Sequence, residues 1–211
     1  MLVAAGAITL LHLLSVSLSA PLGCEELLRP SIPVGPHHLE GRWALVGGSL
    51  SNPEHLQRFR ERGSVAVDFF GNSNETDMSY TRSMRSKEEE CSYSSYNITL
   101  EGSGFSFRGE GKRNYTANFL STCPDCLLMH LTHQLEKRQH LYLFSRRREL
   151  EPFEMDHFTL QVGCLNMSSP AVMDPTKELC PEKDWKFSLP EEAHTEKLKE
   201  KVFFNKILVV F

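Results

Sequence analysis

The sequence has little of several features that mark particular classes of protein. Positive charge is not in excess, since 23 Lys and Arg stand against 27 Asp and Glu, giving a formal net charge of -4. Without a basic field, a nucleic-acid partner is not expected. Long apolar runs are confined to the N-terminus, which excludes a multi-spanning membrane protein. With 40% hydrophobic residues among 211, the chain is nevertheless too apolar to be disordered.

The N-terminus is typical of a secretory signal peptide. No charged side chain precedes Glu25, and the run before it is strongly apolar. Ser17 and Ser19 are small residues at the −3 and −1 positions of a cut after Ser19. We therefore predict a signal peptide at residues 1–19 and a secreted protein, with an uncleaved signal anchor as the alternative.

Two further features agree with secretion. Six cysteines, an even number, are typical of a disulfide-bonded protein in an oxidising compartment. Four Asn-x-Ser/Thr sequons without a central proline predict N-glycosylation. The predicted glycosylation sites are Asn74, Asn97, Asn114 and Asn166.

The middle of the chain has the pattern of an all-β protein. Short β-rich runs alternate with clusters of Gly, Asn, Ser or charged residues, and in one run Val65, Val67 and Phe69 alternate with smaller or polar residues. Eight such runs at regular spacing predict a barrel or sandwich. The runs are residues 42–49, 64–70, 77–84, 91–100, 104–110, 115–121, 127–132 and 140–145.

Two helices are predicted. Asn52 is a candidate N-cap before Pro53, in a short helix that carries Leu56 and Phe59. A longer helix is predicted to begin near Pro152, with an apolar stripe suited to docking on a barrel wall. Eight antiparallel strands followed by this helix predict a closed up-and-down barrel whose interior holds one small ligand. The stripe consists of Met155, Phe158, Val162 and Leu165.

Gly41, Arg42 and Trp43 resemble the Gly-x-Trp signature of lipocalins, in which the Trp closes the base of an eight-stranded cup. The chain is most similar to the branch that includes α1-acid glycoprotein (orosomucoid), apolipoprotein M and fish plasma proteins that bind toxins. A late Arg stacked on the Trp, a further family signature, is not recognisable. The resemblance is carried by PLGC at 21–24, GRWALVGGS at 41–49, NSNET at 72–76, STCPDCLLM at 121–129 and the segment 164–180.

The resemblance implies a secreted plasma carrier of small hydrophobic or amphiphilic molecules such as lipids, steroid-like compounds, drugs or toxins. It implies a lipocalin domain at 20–185, followed by a polar tail at 186–211 whose final apolar segment has no assigned role. No cofactor or metal is implied, and a monomer is expected. Association with lipoprotein particles would need a retained signal peptide, and the cut predicted after Ser19 argues against it.

The resemblance also implies a disulfide framework. It pairs Cys24 with Cys164 and Cys91 with Cys180. The two cysteines that remain form a single CxxC between two predicted strands, with no second pair of ligands for zinc. A turn disulfide is therefore favoured over a redox dithiol. These two cysteines are Cys123 and Cys126.

Candidate ligand contacts are the inward residues of the predicted strands, although any one of them is more often simply core. In the apolipoprotein M branch, which carries sphingosine 1-phosphate, two basic residues and an aromatic fall by position on Ser94, Lys112 and Tyr96. A lysine in place of a forked arginine makes that ligand doubtful. Arg108 is a further charged candidate, provided that a bulge turns it inward. The wall candidates are Trp43, Leu45, Val65, Val67, Phe69, Met78, Tyr80, Phe105, Phe107, Leu141 and Leu143.

Two other functions stay open. An enzyme would need a reactive Cys or a clustered His set, whereas every Cys has a disulfide role and the nine His are scattered. An immunomodulatory, acute-phase-type plasma glycoprotein would act through its glycans and through a basic cluster that binds acidic partners. That cluster consists of Lys137, Arg146, Arg147 and Arg148.

Overall fold

The computed structural model describes residues 23–71, 76–108, 114–133 and 135–182. The predicted signal peptide at 1–19, the tail at 186–211, Asn74 and Lys112 lie outside these residues. The chain divides into two units, Met1–Cys180 and Pro181–Phe211. All the elements described below belong to the first unit.

The described residues form nine strands and four helices. Within them, no helix has the length and apolar character needed to cross a membrane. In chain order the elements are α1 Cys24–Leu27, α2 Pro36–Leu39, β1 Gly41–Leu50, α3 Pro53–Arg60, β2 Ser64–Gly71, β3 Asp77–Arg85, β4 Cys91–Glu101, β5 Gly104–Arg108, β6 Asn114–Leu120, β7 Cys126–His133, β8 Gln139–Ser145, α4 Pro152–Cys164 and β9 Ala171–Val172.

The predicted eight-stranded antiparallel barrel is confirmed. Strands β2 to β8 follow one another in the sheet, β8 pairs with β1, and β1 pairs back with β2. This last pairing is short, because it joins only Gly41–Ala44 to the Ala66–Phe69 stretch of β2. β9, which was not predicted, pairs with Gly47 and Gly48 of β1. At these two residues the other edge of β1 pairs with β8. β9 therefore pairs with the same edge of β1 as β2 does, beyond the point where the β2 pairing ends.

The predicted helix on the wall is also confirmed, as α4. Phe158 and Val162 of this helix are buried against the outward residues of β7 and β8. Leu141 and Leu143 belong to this outer cluster, so the expectation that they face the cup is wrong. Both faces of β8 are apolar because one faces the interior and the other is covered by α4, and the sequence pattern therefore does not distinguish them.

The short helix α3 lies at the open end of the barrel. Its N-cap is Asn52, whose Oδ1 accepts a hydrogen bond from the His55 backbone N–H at 3.1 Å. Leu56 and Phe59 are buried, so this helix is anchored by the two residues that the sequence indicated. A Cβ at Gly48 would lie 2.7 Å from Phe59 Cζ, and the glycine therefore allows the ring to approach β1.

The structure contains the three expected disulfides, and no cysteine is free. The Cys24–Cys164 bond joins α1 to the end of α4. The Cys91–Cys180 bond joins β4 to the segment that follows β9. The third bond joins Cys123 to Cys126 in the β6–β7 connection. The two long-range bonds thus attach both flanking segments to the barrel.

Candidate ligand-binding site

The closed end of the barrel is built around Trp43. Its indole N–H donates to the Leu39 carbonyl at 2.7 Å, and the Arg146 guanidinium lies 4.1 Å from the ring centroid. Arg146 also donates to the Glu40 carbonyl at 2.8 Å. The structure thus places an arginine on the tryptophan that was not recognisable in the sequence, because it is the first of three consecutive arginines and spacing does not single it out.

The other two arginines of this run also contact the chain's own groups. Arg147 is paired with Asp125 at 2.6 Å and with Glu154 at 2.8 Å. Arg148 donates to the Lys177 carbonyl at 2.7 Å. All three guanidinium groups of this run thus make contacts within the fold, and binding of an acidic partner through the cluster stays a prediction.

A cavity of about 480 Å³ occupies the open half of the barrel, beside α3. Its aliphatic lining residues are Leu45, Leu50, Val65, Met84 and Leu131. Its aromatic lining residues are Tyr80, Tyr96, Phe107, Tyr115, Tyr142 and Phe144. Its basic lining residues are His55, Arg58, Arg62, Arg82 and His140. None of the acidic residues that the structure describes lines this cavity.

The structure brings only part of the predicted site together. Among the predicted contacts, Leu45, Val65, Tyr80, Tyr96 and Phe107 line the cavity. Arg108 is exposed and follows Phe107 on the opposite face of β5, so without an inward turn it does not reach the cavity. Apart from Leu141 and Leu143, the remaining described wall candidates are buried in the core but do not line the cavity, namely Trp43, Val67, Phe69, Met78 and Phe105.

One wall of the cavity is a row of aromatic rings from β3 to β6. The Tyr80 and Tyr96 rings are stacked with centroids 5.9 Å apart, and Phe107 and Tyr115 are stacked at 5.4 Å. Tyr96 and Phe107 join the two pairs at 5.0 Å. The inward phase of each strand delivers one ring to the same level, which produces a continuous aromatic surface.

The basic groups of the cavity change one another's titration. Burial and, after it, the electrostatic effect of His55 and Arg62 lower the pKa of His140 to about 4. Burial also lowers the pKa of Arg62, although the hydroxyl of Tyr142 opposes this shift. Burial raises the pKa of Tyr80 and of Tyr142, so both phenols are neutral at pH 7. The cavity is therefore apolar, with positive charge and neutral hydroxyls.

Two arginines that line the cavity, Arg62 and Arg82, were not identified from the sequence. Arg82 shares the inward phase of β3 with Met78 and Tyr80, and this alternation is a signal that could have found it. Arg62 lies in the connection between α3 and β2, where no periodicity applies. Its position depends on the packing of α3, and its guanidinium lies 5.2 Å from the Phe59 ring centroid.

Neither of the other candidate features forms a comparable site. A second cavity, of about 500 Å³, lies at the closed end, but its charged members Asp125 and Arg146 are engaged with Arg147 and Trp43. In the described parts of the chain, the one cluster with metal-ligand chemistry is Cys123, Cys126 and Glu154. Its two sulfurs are joined in a disulfide and supply no thiolate.

Comparisons with known proteins agree with this geometry. The model of the ApoM domain family matches residues 31–194. A structure described as the siderocalin Ex-FABP, which functions through dual ligand specificities, is 16% identical with a TM-score of 0.57, over 69% of this chain and 99% of that one. The odorant binding protein OBP1 is 11% identical with a TM-score of 0.58, over 72% of this chain and 100% of that one.

No curated protein matches the sequence. At these identities the two structures show the fold alone, which is the lipocalin barrel. The family match extends over most of the chain and includes every strand of the barrel. The chain therefore belongs to the ApoM domain family, within the lipocalins.

Proposed function

We propose that this protein is a secreted carrier that sequesters a small hydrophobic or amphiphilic molecule in the cavity of its barrel. The observation that carries this proposal is the cavity of about 480 Å³, which is lined by aliphatic and aromatic side chains and a few polar groups. Binding sites for small molecules have this size and composition. Carriage needs no chemistry, and we propose a binding role rather than an enzymatic one.

Two similar structures carry names that support this role. One is a siderocalin with two ligand specificities and the other is an odorant-binding protein. Both names refer to the binding of small molecules. Applied to this chain, they support carriage, but the lining side chains of this cavity set its own selectivity.

Secretion and glycosylation form part of the same proposal. Three disulfides fit an oxidising compartment. Asn97, Asn114 and Asn166 are exposed, as an acceptor of N-linked glycan must be. Treatment of the secreted protein with a peptide-N-glycosidase should lower its mass. Each Asn→Gln variant should lower the mass of the untreated protein by that of one glycan. If an immune partner is bound through glycans instead, that treatment would abolish partner binding and leave ligand binding unchanged.

Native mass spectrometry tests the carrier role. The secreted protein, purified without detergent, should show a discrete extra mass that organic extraction removes. The extracted protein should then bind the neutral fluorophore N-phenyl-1-naphthylamine. An intact barrel that shows no extra mass and binds no apolar probe would contradict the proposal. The same spectra report whether the protein is a monomer, and flotation with plasma lipoproteins tests association with those particles.

A matched pair of variants locates the binding in the cavity. Leu131 is buried and lines the cavity, whereas Leu160 is exposed on α4. Leu131→Trp should fill the cavity and weaken binding of the neutral fluorophore by about tenfold or more, because added volume displaces the ligand. Leu160→Trp makes the same chemical change on the outer surface and should leave the affinity unchanged.

A further inference from the structure

The charged groups of the cavity all have the same sign. Five basic side chains line it, and none of the described acidic residues does. The whole chain has the opposite balance, with a formal net charge of -4. Positive charge is therefore concentrated in an apolar, partly closed space, where its field is screened less than at an open surface.

Arg62, Arg82 and Tyr142 line the same cavity, and Arg62 interacts with both of the other two. Burial and the charge of Arg82 both lower the pKa of Arg62, whereas a hydrogen bond with the Tyr142 hydroxyl raises it. Arg82 also donates to Ser94 Oγ at 3.4 Å. Guanidinium groups present several N–H donors in a planar fork, a shape that matches carboxylate, sulfonate and phosphate oxygens.

His140 adds a second, independent observation. The ring lines the cavity, and its Nδ1 lies 3.2 Å from the Tyr142 hydroxyl. Its Nε2 is buried and has no hydrogen-bond partner among the described residues. When the hydroxyl donates to Nδ1, Nε2 carries the proton of the neutral ring and needs an acceptor. A buried donor without an acceptor is costly, so this ring adds an unsatisfied polar group beside the arginines that line the same cavity.

The body of the ligand is indicated by the aromatic wall. Tyr80, Tyr96, Phe107 and Tyr115 present a continuous row of rings to the cavity. Stacking of an aromatic ring on a flat, unsaturated group contributes more free energy than the burial of the same apolar area alone. A cation would also be attracted to such rings, but the surrounding arginines repel it.

We propose that the cavity selects an amphiphilic acid, with one anionic head held by Arg62 and Arg82 beside His140, and a flat, unsaturated body against the aromatic wall. This proposal rests on the carrier function proposed above and adds to it the charge and shape of the ligand. Carboxylate, sulfonate and phosphate heads share the chemistry, and the experiment separates them.

Two fluorophores with the same aromatic body test the sign of the charge. 8-Anilino-1-naphthalenesulfonate differs from N-phenyl-1-naphthylamine by its sulfonate group. We expect the sulfonate to bind at least about tenfold more tightly to the extracted protein, because charge-assisted hydrogen bonds add to the same apolar contacts. Its affinity should fall as salt is raised, whereas that of the neutral compound should not.

Displacement of the neutral fluorophore by oleate, oleyl phosphate, oleyl alcohol and oleylamine tests the head group on one chain. Both acids should displace it at lower concentration than the alcohol, and the amine should be the weakest. The order of the two acids identifies carboxylate or phosphate as the preferred head. An amine or alcohol that competes as well as the acids would overturn the proposal.

Charge-removing variants assign the effect to the named residues. Arg62→Met/Arg82→Met should erase the preference for the sulfonate, measured as the ratio of the affinities for the two fluorophores. Arg60→Met is the control, since Arg60 is exposed on α3 and does not line the cavity. Equal binding of both fluorophores by the native protein would overturn this inference and leave the carrier function intact. If the native protein bound neither fluorophore, both this inference and the carrier function would be contradicted. The native protein alone thus decides the outcome if the double variant does not fold.

Discussion

The Arg146 guanidinium lies 4.1 Å from the centroid of the Trp43 ring, so a side chain that directly follows the last barrel strand covers the first one. The same guanidinium donates to the Glu40 carbonyl just before β1. Trp43 is only 5% exposed, and its N–H is satisfied by Leu39. One residue thus connects both ends of the barrel sequence at the closed base.

Replacement of Arg146 should destabilise the base. Arg146→Ala removes a cation–π contact and a hydrogen bond, and we expect the free energy of unfolding to fall by about 2 kcal/mol. Arg60→Ala removes the same charge from the exposed face of α3 and should change stability by less than about 0.5 kcal/mol. Urea unfolding of the two variants provides the comparison. Equal losses would show that the contact over Trp43 contributes nothing.

A side chain at Gly48 should disturb the open end. A Cβ there would lie 2.7 Å from Phe59 Cζ and 2.8 Å from Tyr142 Cδ1, and both rings are packed. Gly48→Ala should therefore cost about 1–3 kcal/mol in unfolding free energy. It should also change the affinity for the neutral fluorophore, since Tyr142 lines the cavity.

Gly163 is the matched control for that substitution. A Cβ on this α4 residue meets no atom within 4 Å. Gly163→Ala should be neutral or stabilising by up to about 1 kcal/mol, because alanine favours a helix. A Gly48→Ala protein as stable as this control would show that the two rings move without cost.

Acid should weaken the fold through His140. Burial and the nearby basic groups lower its pKa to about 4 from the usual 6.5 of histidine, so as the pH falls between these values the unfolded chain takes up a proton that the folded chain does not. The stabilisation is complete above pH 6.5 and is lost progressively toward pH 4, by at most about 3 kcal/mol. The groups that face the ring are His55, Arg62, Arg138, His133 and Tyr142.

The contribution of His140 can be isolated by substitution. Unfolding free energies at pH 7 and pH 4.5 should differ less for His140→Gln than for the native protein. His37→Gln replaces an exposed histidine and controls for the change of side chain. An unchanged pH dependence in His140→Gln would mean that other groups cause the acid sensitivity.

The disulfides should contribute unequally to stability. Cys24 and Cys164 are 140 residues apart in sequence, whereas Cys123 and Cys126 are 3 apart. In the chain-entropy model the loss on replacing both cysteines by serine is about 5 kcal/mol for the long loop and about 2 kcal/mol for the short one. Unfolding of the two double-serine variants without reductant measures both. Similar losses would contradict an origin in loop closure.

The fold could be predicted because its signals are local and repeated. Val65, Val67 and Phe69 alternate with smaller or polar residues, and Asn52 and Pro53 begin α3 as expected. β9 could not be predicted, since two residues carry no periodicity and their pairing depends on the absence of β2 from the edge of β1 at Gly47 and Gly48.

The site was less predictable than the fold because its residues are defined by packing. Leu141 and Tyr142 are neighbours in an apolar strand, and only the position of α4 decides that Tyr142 faces the cavity. Arg62 lies in the connection between α3 and β2, and a charged residue in a connection is ordinarily predicted to be exposed to solvent. Trp43 was correctly placed at the base, but a role in ligand contact does not follow from that position.

The pairing of β9 with β1 affects how the protein is made. β1 and β2 are joined over four residues, and the remaining edge of β1 is taken by Ala171 and Val172. A chain synthesised from its N-terminus completes all eight barrel strands and α4 before these two residues leave the ribosome. Until then the nascent chain carries an open strand edge, which is the kind of surface that pairs with other chains. The last strand pairing on this edge of β1 therefore forms only after the segment that follows α4 has been synthesised.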